Sequence, residues 1–230
     1  TPENTERIAR IMATEALAAL EKDGNAIGWY DSKLKAAKSV MRLVEPRIDE
    51  SENAFDFALA VTSNGQAVLE NFKYALDVYR HYLDNGSMPE KFKQGGKRNK
   101  AMRAAFAFYN AYEKSGRNMS IEQFLNIDYD VKELKEFLTQ FNEQQGTNIS
   151  IGSQENQNAT VKGSYVLGAK IGQGFYQNIR GNYEPLTMDL WWMRMWNRMV
   201  GRPFSPPKTE QKMNENRKFI YQRSKTAKGT

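Results

Sequence analysis

Apolar residues recur three and four positions apart along nearly the whole chain, and glycine, proline or polar clusters interrupt the pattern at intervals. That periodicity marks amphipathic helices and constrains the fold more than any other feature. Pro2 suits a first helical turn behind Thr1, and "PENTERIARIMATEALAALEK" continues at helical spacing. Asp31 or Ser32 opens a second helix that Pro46 stops. "SENAFDFALAV" reads as a short apolar helix, "TSNGQ" as a polar break, and "AVLENFKYALDVYRHYLDNG" as a long helix closed by Gly86. "KQGGKRNK" is a basic glycine loop. "AMRAAFAFYNAYEKSG", "SIEQFLN" and "VKELKEFLTQF" are further helices, with Ser120 and the Glu122–Gln123 pair forming a cap region. The turn-rich 142–163 connector contains a short strand at Ile149–Ile151 in this reading. Neither βαβ alternation nor an internal repeat is visible, so the expected class is all-α. Residues 1–204 are expected to form a single domain, with 205–230 as a basic C-terminal helix or tail after the helix-breaking "GRPFSPP".

The chain has 230 residues, 40% of them hydrophobic and 12% aromatic, which suits a folded core. It has no cysteine, which excludes disulfides, thiolate metal centres and a cysteine nucleophile and fits a reducing compartment. The single histidine, His81, cannot build a histidine-rich metal site, so no metal and no cofactor are expected. No apolar run has the length of a membrane span. The net charge of +6 is uneven: Met193–Thr230 carries ten Lys or Arg against two Glu, a net of +8, which leaves the rest near −2. A basic end on a near-neutral body points to a polyanion, nucleic acid first.

Lys170 and Asp189 lie nineteen positions apart in "VLGAKIGQGFYQNIRGNYEPLTMDLWWMRMW". A helix from about Ile171 to Arg180, ended by Gly181 and Asn182, would be about 15 Å long. The return segment "YEPLTM" spans up to roughly 20 Å, enough to bring Asp189 back to the end that Lys170 precedes. Near a helix N-terminus and partly buried, the charged form of a lysine is disfavoured, which frees the amine to attack. An aspartate capping a helix is held ionised by backbone donors. The plain alternative is a solvated lysine and an ordinary capping aspartate. In the same stretch "LGAKIG", with Gly168 and Gly172, is a small-residue turn whose amides suit a phosphate.

These residues resemble a known family. "VLGAKIGQGF" is similar to the helix-hairpin-helix turn of the DNA glycosylases of the endonuclease III and 8-oxoguanine glycosylase superfamily, and "DLWWMRMWNR" resembles the helix that follows their catalytic aspartate. "LAVTSNGQAVLEN" resembles the segment where a family helix breaks at a polar cluster. The chain also resembles a phage-type domain found inside larger polypeptides. Val166 and Trp191 depart from the pattern, standing where the family has a glycine and a histidine. The resemblance implies an all-α, HhH-GPD-like glycosylase fold with its helix-hairpin-helix at about 160–200.

The implied activity is DNA base excision with lyase chemistry: a base is flipped from the duplex and displaced by Lys170, with Asp189 assisting. Asn64 and Gln66 would fill the hole left by the base, and Phe55, Phe57, Trp191 and Trp192 would wall the pocket. Arg194, Arg198, Lys208 and Lys212 would contact phosphates, with Lys97 and Arg98 as a second patch. The expected partner is double-stranded DNA, the expected state a monomer, and the expected place the cytoplasm of a bacterial or phage-infected cell. The alternative is a non-catalytic helix-hairpin-helix DNA-binding module of a larger phage or mobile-element protein.

Overall fold

The computed structural model describes residues 2–22, 29–151 and 158–200, without the side chains of residues 29, 30, 190 and 191. It is mostly helical, as the periodicity predicts. The helices are α1 (Pro2–Lys22), α2 (Trp29–Val44), α3 (Ile48–Thr62), α4 (Val68–Asn85), α5 (Asn99–Lys114), α6 (Ile121–Asn126), α7 (Val131–Gln145), α8 (Gln177–Ile179) and α9 (Leu190–Met199). Lys35–Thr187 form one compact unit, and Thr1–Leu34 with Met188–Thr230 are assigned to a second. No helix among the described residues is long and apolar enough to cross a membrane.

In the Lys35–Thr187 unit, α3 supplies the centre of the core. From Ala54 to Thr62 every residue is buried, because "AFDFALAVT" is apolar on all sides except at Asp56 and Thr62. Phe55 meets Phe72 and Tyr79 edge-on, at 5.8 and 5.5 Å between ring centroids. Phe57 lies 4.8 Å from Tyr109 of α5. A second aromatic group joins α5, α6 and α7 through Phe108, Tyr112, Phe124 and Phe141. Such tilted and edge-on pairs add to plain burial.

Helix ends follow the expected chemistry. Ser120 and Gln123 make a reciprocal capping box at α6. Asp130 and Glu133 do the same at α7. Gly86 ends α4 in the left-handed region at φ 65°. The α3–α4 break is pinned from within: the Thr62 hydroxyl donates to Asn71 Oδ1 at 2.7 Å, and both residues are buried.

Two features differ from the sequence reading. Ile149–Ile151 is not a strand, because Asn142 satisfies that backbone locally. Its amide donates to the Ile149 carbonyl at 2.8 Å, and its Oδ1 accepts from the Ile149 amide at 3.2 Å. The strands among the described residues are instead β1 (Asp128–Asp130) and β2 (Thr160–Lys162), an antiparallel pair with Tyr129 opposite Val161. The helix expected from Ile171 begins at Ala169, so Lys170 lies inside its first turn. This segment, Ala169–Tyr176, is a π-helix that runs on into α8.

Candidate active site

The hairpin is built around glycines. A five-residue 3-10 turn, Gly163–Leu167, precedes Gly168, which takes φ 91° and ψ 160°, a backbone open to glycine. The Gly168 carbonyl accepts from Gly172 N at 2.8 Å and from Gln173 N at 3.4 Å, the longer reach of a π turn. Such turns are rare and concentrate at functional sites. The two segments touch backbone to backbone: a Cβ on Gly172 would lie 1.6 Å from the Ser164 carbonyl oxygen. Ser164 Oγ donates to the Gly172 carbonyl at 2.9 Å and accepts from Gln177 Nε2 at 3.0 Å. Gly172 is therefore a buried packing glycine, which corrects its expected role as a phosphate contact. Gly168 is half-exposed. Amides of a first helical turn have no partner within the helix.

Lys170 is exposed on that first turn. The partial burial expected for it is absent, because its neighbours in the turn are the small residues Gly168 and Ala169. The return segment folds back on the helix. Asn178 Nδ2 donates to the Asn182 and Pro185 carbonyls at 2.9 and 3.0 Å, and Asn178 Oδ1 accepts from the Thr187 hydroxyl at 2.6 Å. Thr187 thereby lies against Gly174, where a Cβ would come within 2.9 Å of the Thr187 Cα.

Asp189 belongs to the second unit and is the N-cap of α9, as expected: its Oδ1 accepts from Trp192 N at 2.8 Å. The Trp192 ring stacks on Trp196 one turn later, at 5.6 Å and 15° between planes. The side chain of Trp191 is outside the described residues, as are Lys208 and Lys212. Arg194 is half-buried. Arg198 is exposed and pairs with Glu15 of α1 in the same unit, a competitor for any phosphate.

Asn64 and Gln66 are half-buried in a tight turn closed by Gln66 N to Ser63 O at 3.2 Å, with Gly65 at φ 79°. Lys97 and Arg98 are exposed in a 3-10 turn, Gly96–Arg98. The fold brings these two patches together: a Cβ on Gly65 would lie 3.5 Å from Arg98 Cγ. Phe55 and Phe57, expected in a base pocket, are instead fully buried core residues, Phe55 against Phe72 and Tyr79 and Phe57 against Tyr109.

One polar group escaped the sequence reading. Asp56, fully buried in the middle of α3, has its Oδ1 2.6 Å from Lys38 Nζ and its Oδ2 3.0 Å from Arg180 Nη1. Lys38 also holds Glu52 at 2.7 Å, and Arg180 also binds Glu122 of α6. Burial pushes the Asp56 carboxyl above its ordinary range, against the pull of Lys38 and Arg180. An aspartate inside the apolar run "AFDFALA" is the signal that could have found it. Comparison of the chain with protein-family models, curated proteins and solved structures found no match.

Proposed function

We propose that this chain is a DNA base-excision enzyme of the helix-hairpin-helix glycosylase type. Lys170 is its nucleophile and Asp189 its assisting carboxylate. The observation that carries the reading is the glycine hairpin: Gly168 turns the chain, and Lys170 stands exposed on the first turn of the helix that follows. The order of parts supports it too: a glycine turn, an exposed lysine, a helix, a return, and then a capping aspartate.

In this mechanism the flipped nucleotide is brought over Lys170, whose neutral amine is the nucleophile. The Nζ lone pair forms a bond to the sugar C1′. The N-glycosidic bond breaks, and the base leaves with the electron pair and takes up the proton that the amine gives up through Asp189. Asp189 takes the proton from the amine or steadies the cation that develops at the sugar. Opening of the sugar gives a Schiff base on Lys170, and loss of a C2′ proton then expels the 3′ phosphate oxygen.

The test is borohydride trapping on duplexes carrying abasic sites and modified bases. The reading expects a covalent adduct that Lys170→Gln abolishes. An adduct that survives Lys170→Gln, or none on any substrate, overturns it. Duplex binding without an adduct would instead favour the non-catalytic DNA-binding module.

A further inference from the structure

Between Gly86 and Tyr112 the chain carries six Lys or Arg and a single acid, Glu90. All six cations are exposed. Lys91, Lys93, Arg98, Lys100 and Arg103 make no ion pair among the described residues.

The loop that bears Lys91, Lys93, Lys97 and Arg98 is held at four points. Met88, fully buried, is clamped by Asn110, whose Oδ1 accepts from Met88 N at 2.7 Å and whose Nδ2 donates to Met88 O at 2.8 Å. Phe92 sits edge-on against Phe106 and Tyr74, at 5.4 and 6.2 Å. Asn99 Nδ2 donates to the Phe92 and Gln94 carbonyls, both at 2.6 Å. Gly95, at φ 89°, lies so close to Met102 that a Cβ would meet its sulfur at 2.4 Å. Lys100 and Arg103 are three residues apart on α5, hence on one face.

We propose that this face is a second contact for duplex DNA, apart from the Lys170 turn, in which Lys93, Lys100 and Arg103 lie along the phosphates. The inference rests on the DNA reading above and locates where the backbone is held. The apolar residues of the segment that could anchor in a lipid surface, Met88, Phe92 and Met102, are all buried. What it shows to solvent is charge and polar backbone, which suits a chain of phosphates rather than a membrane. The Arg98 stem beside Gly65 makes the face continuous with the Asn64–Gln66 turn, so one duplex can meet both.

The experiment measures duplex binding by fluorescence anisotropy across a salt series, for the wild-type chain and for Lys93→Gln/Lys100→Gln/Arg103→Gln. All three residues are exposed, so the fold is retained; circular dichroism checks this. Each lost phosphate contact flattens the slope of log affinity against log salt by about 0.9. The inference expects a slope shallower by two to three such steps and at least about tenfold weaker binding at roughly 0.1 M salt. A slope changed by less than about one unit overturns it. So does a variant that loses binding to phosphatidylserine vesicles while keeping that to DNA. Borohydride trapping at low salt and saturating protein separates the two readings. A variant that still traps but binds with the wild-type slope sinks this face and leaves the glycosylase reading standing. A variant with a flattened slope, on a wild-type chain that never traps, keeps the face and sinks the glycosylase reading.

Discussion

Asp56 Oδ2 and Arg180 Nη1 stand 3.0 Å apart and join α3 to the end of α8, 124 residues along the chain. With Lys38 on the other carboxylate oxygen, the bond fixes the helix that bears Lys170 to the centre of the core. Removing one member of such a buried group leaves uncompensated charge. Asp56→Ala is expected to cost about 3–5 kcal/mol in urea unfolding. Glu122→Ala, at the more exposed end, should cost under about 1 kcal/mol. Equal losses for the two variants would mean that the network is not anchored at Asp56.

The backbone contact at Gly172 makes a second demand. Gly172→Ala places a methyl into the Ser164 carbonyl, so the 3-10 turn and the π-helix must separate. A loss of roughly 1–3 kcal/mol or more is expected. Gly86→Ala, with open space around it, should lose only the smaller cost of its positive φ. Denaturant midpoints of the two variants decide whether the Gly172 contact is as close as described.

Asp189 holds α9 and, in the proposed chemistry, also serves the reaction, and two substitutions separate these roles. Asparagine caps a helix about as well as aspartate, whereas alanine loses about 1 kcal/mol. Asp189→Asn is therefore expected to keep the melting temperature and lose trapping, and Asp189→Ala to lose both. Full trapping by Asp189→Asn would leave the residue a cap and nothing more.

Alkaline pH should unfold the chain earlier than its charge alone suggests. Burial pushes Tyr112 up to about 12, and it raises Tyr109 and Tyr176 as well. Their folded values lie above the unfolded 10.0, so the stability they contribute is full below pH 10.0 and is lost as pH rises toward the folded values. Each tyrosine still protonated in the folded chain steepens the fall by about 1.4 kcal/mol per pH unit. Denaturant midpoints should hold level below about pH 10 and fall above it, less steeply in Tyr112→Phe. A flat profile there would mean that these hydroxyls are not buried.

Much of this was legible in the sequence where the cause is local. Helical spacing located the helices, Gly86 their stop, Ser120 and Gln123 a capping box, and Asp189 an N-cap. What depends on distant partners was not legible. β1 is "DYD", two of its three residues poor strand formers, and it exists because β2, from Thr160 onward, pairs with it across a long connection. Phe55 and Phe57 were assigned to a pocket, yet an aromatic residue at helical spacing carries no sign of whether it faces a ligand or a core. The small-residue turn "LGAKIG" suits a phosphate at Gly172 on sequence alone, but the burial of Gly172 follows from Ser164, which only the folded hairpin brings near.

Ser51 interrupts α3 with φ −129° and ψ 15°, its hydroxyl 2.7 Å from the Tyr79 hydroxyl. The helix is therefore two cooperative pieces. The turn before Ser51 can open to solvent by a local fluctuation, while the wholly buried run from Ala54 to Thr62 opens only when the unit as a whole does. Amide hydrogen exchange along this one helix would span the range from fraying to global unfolding, with its boundary at a single serine.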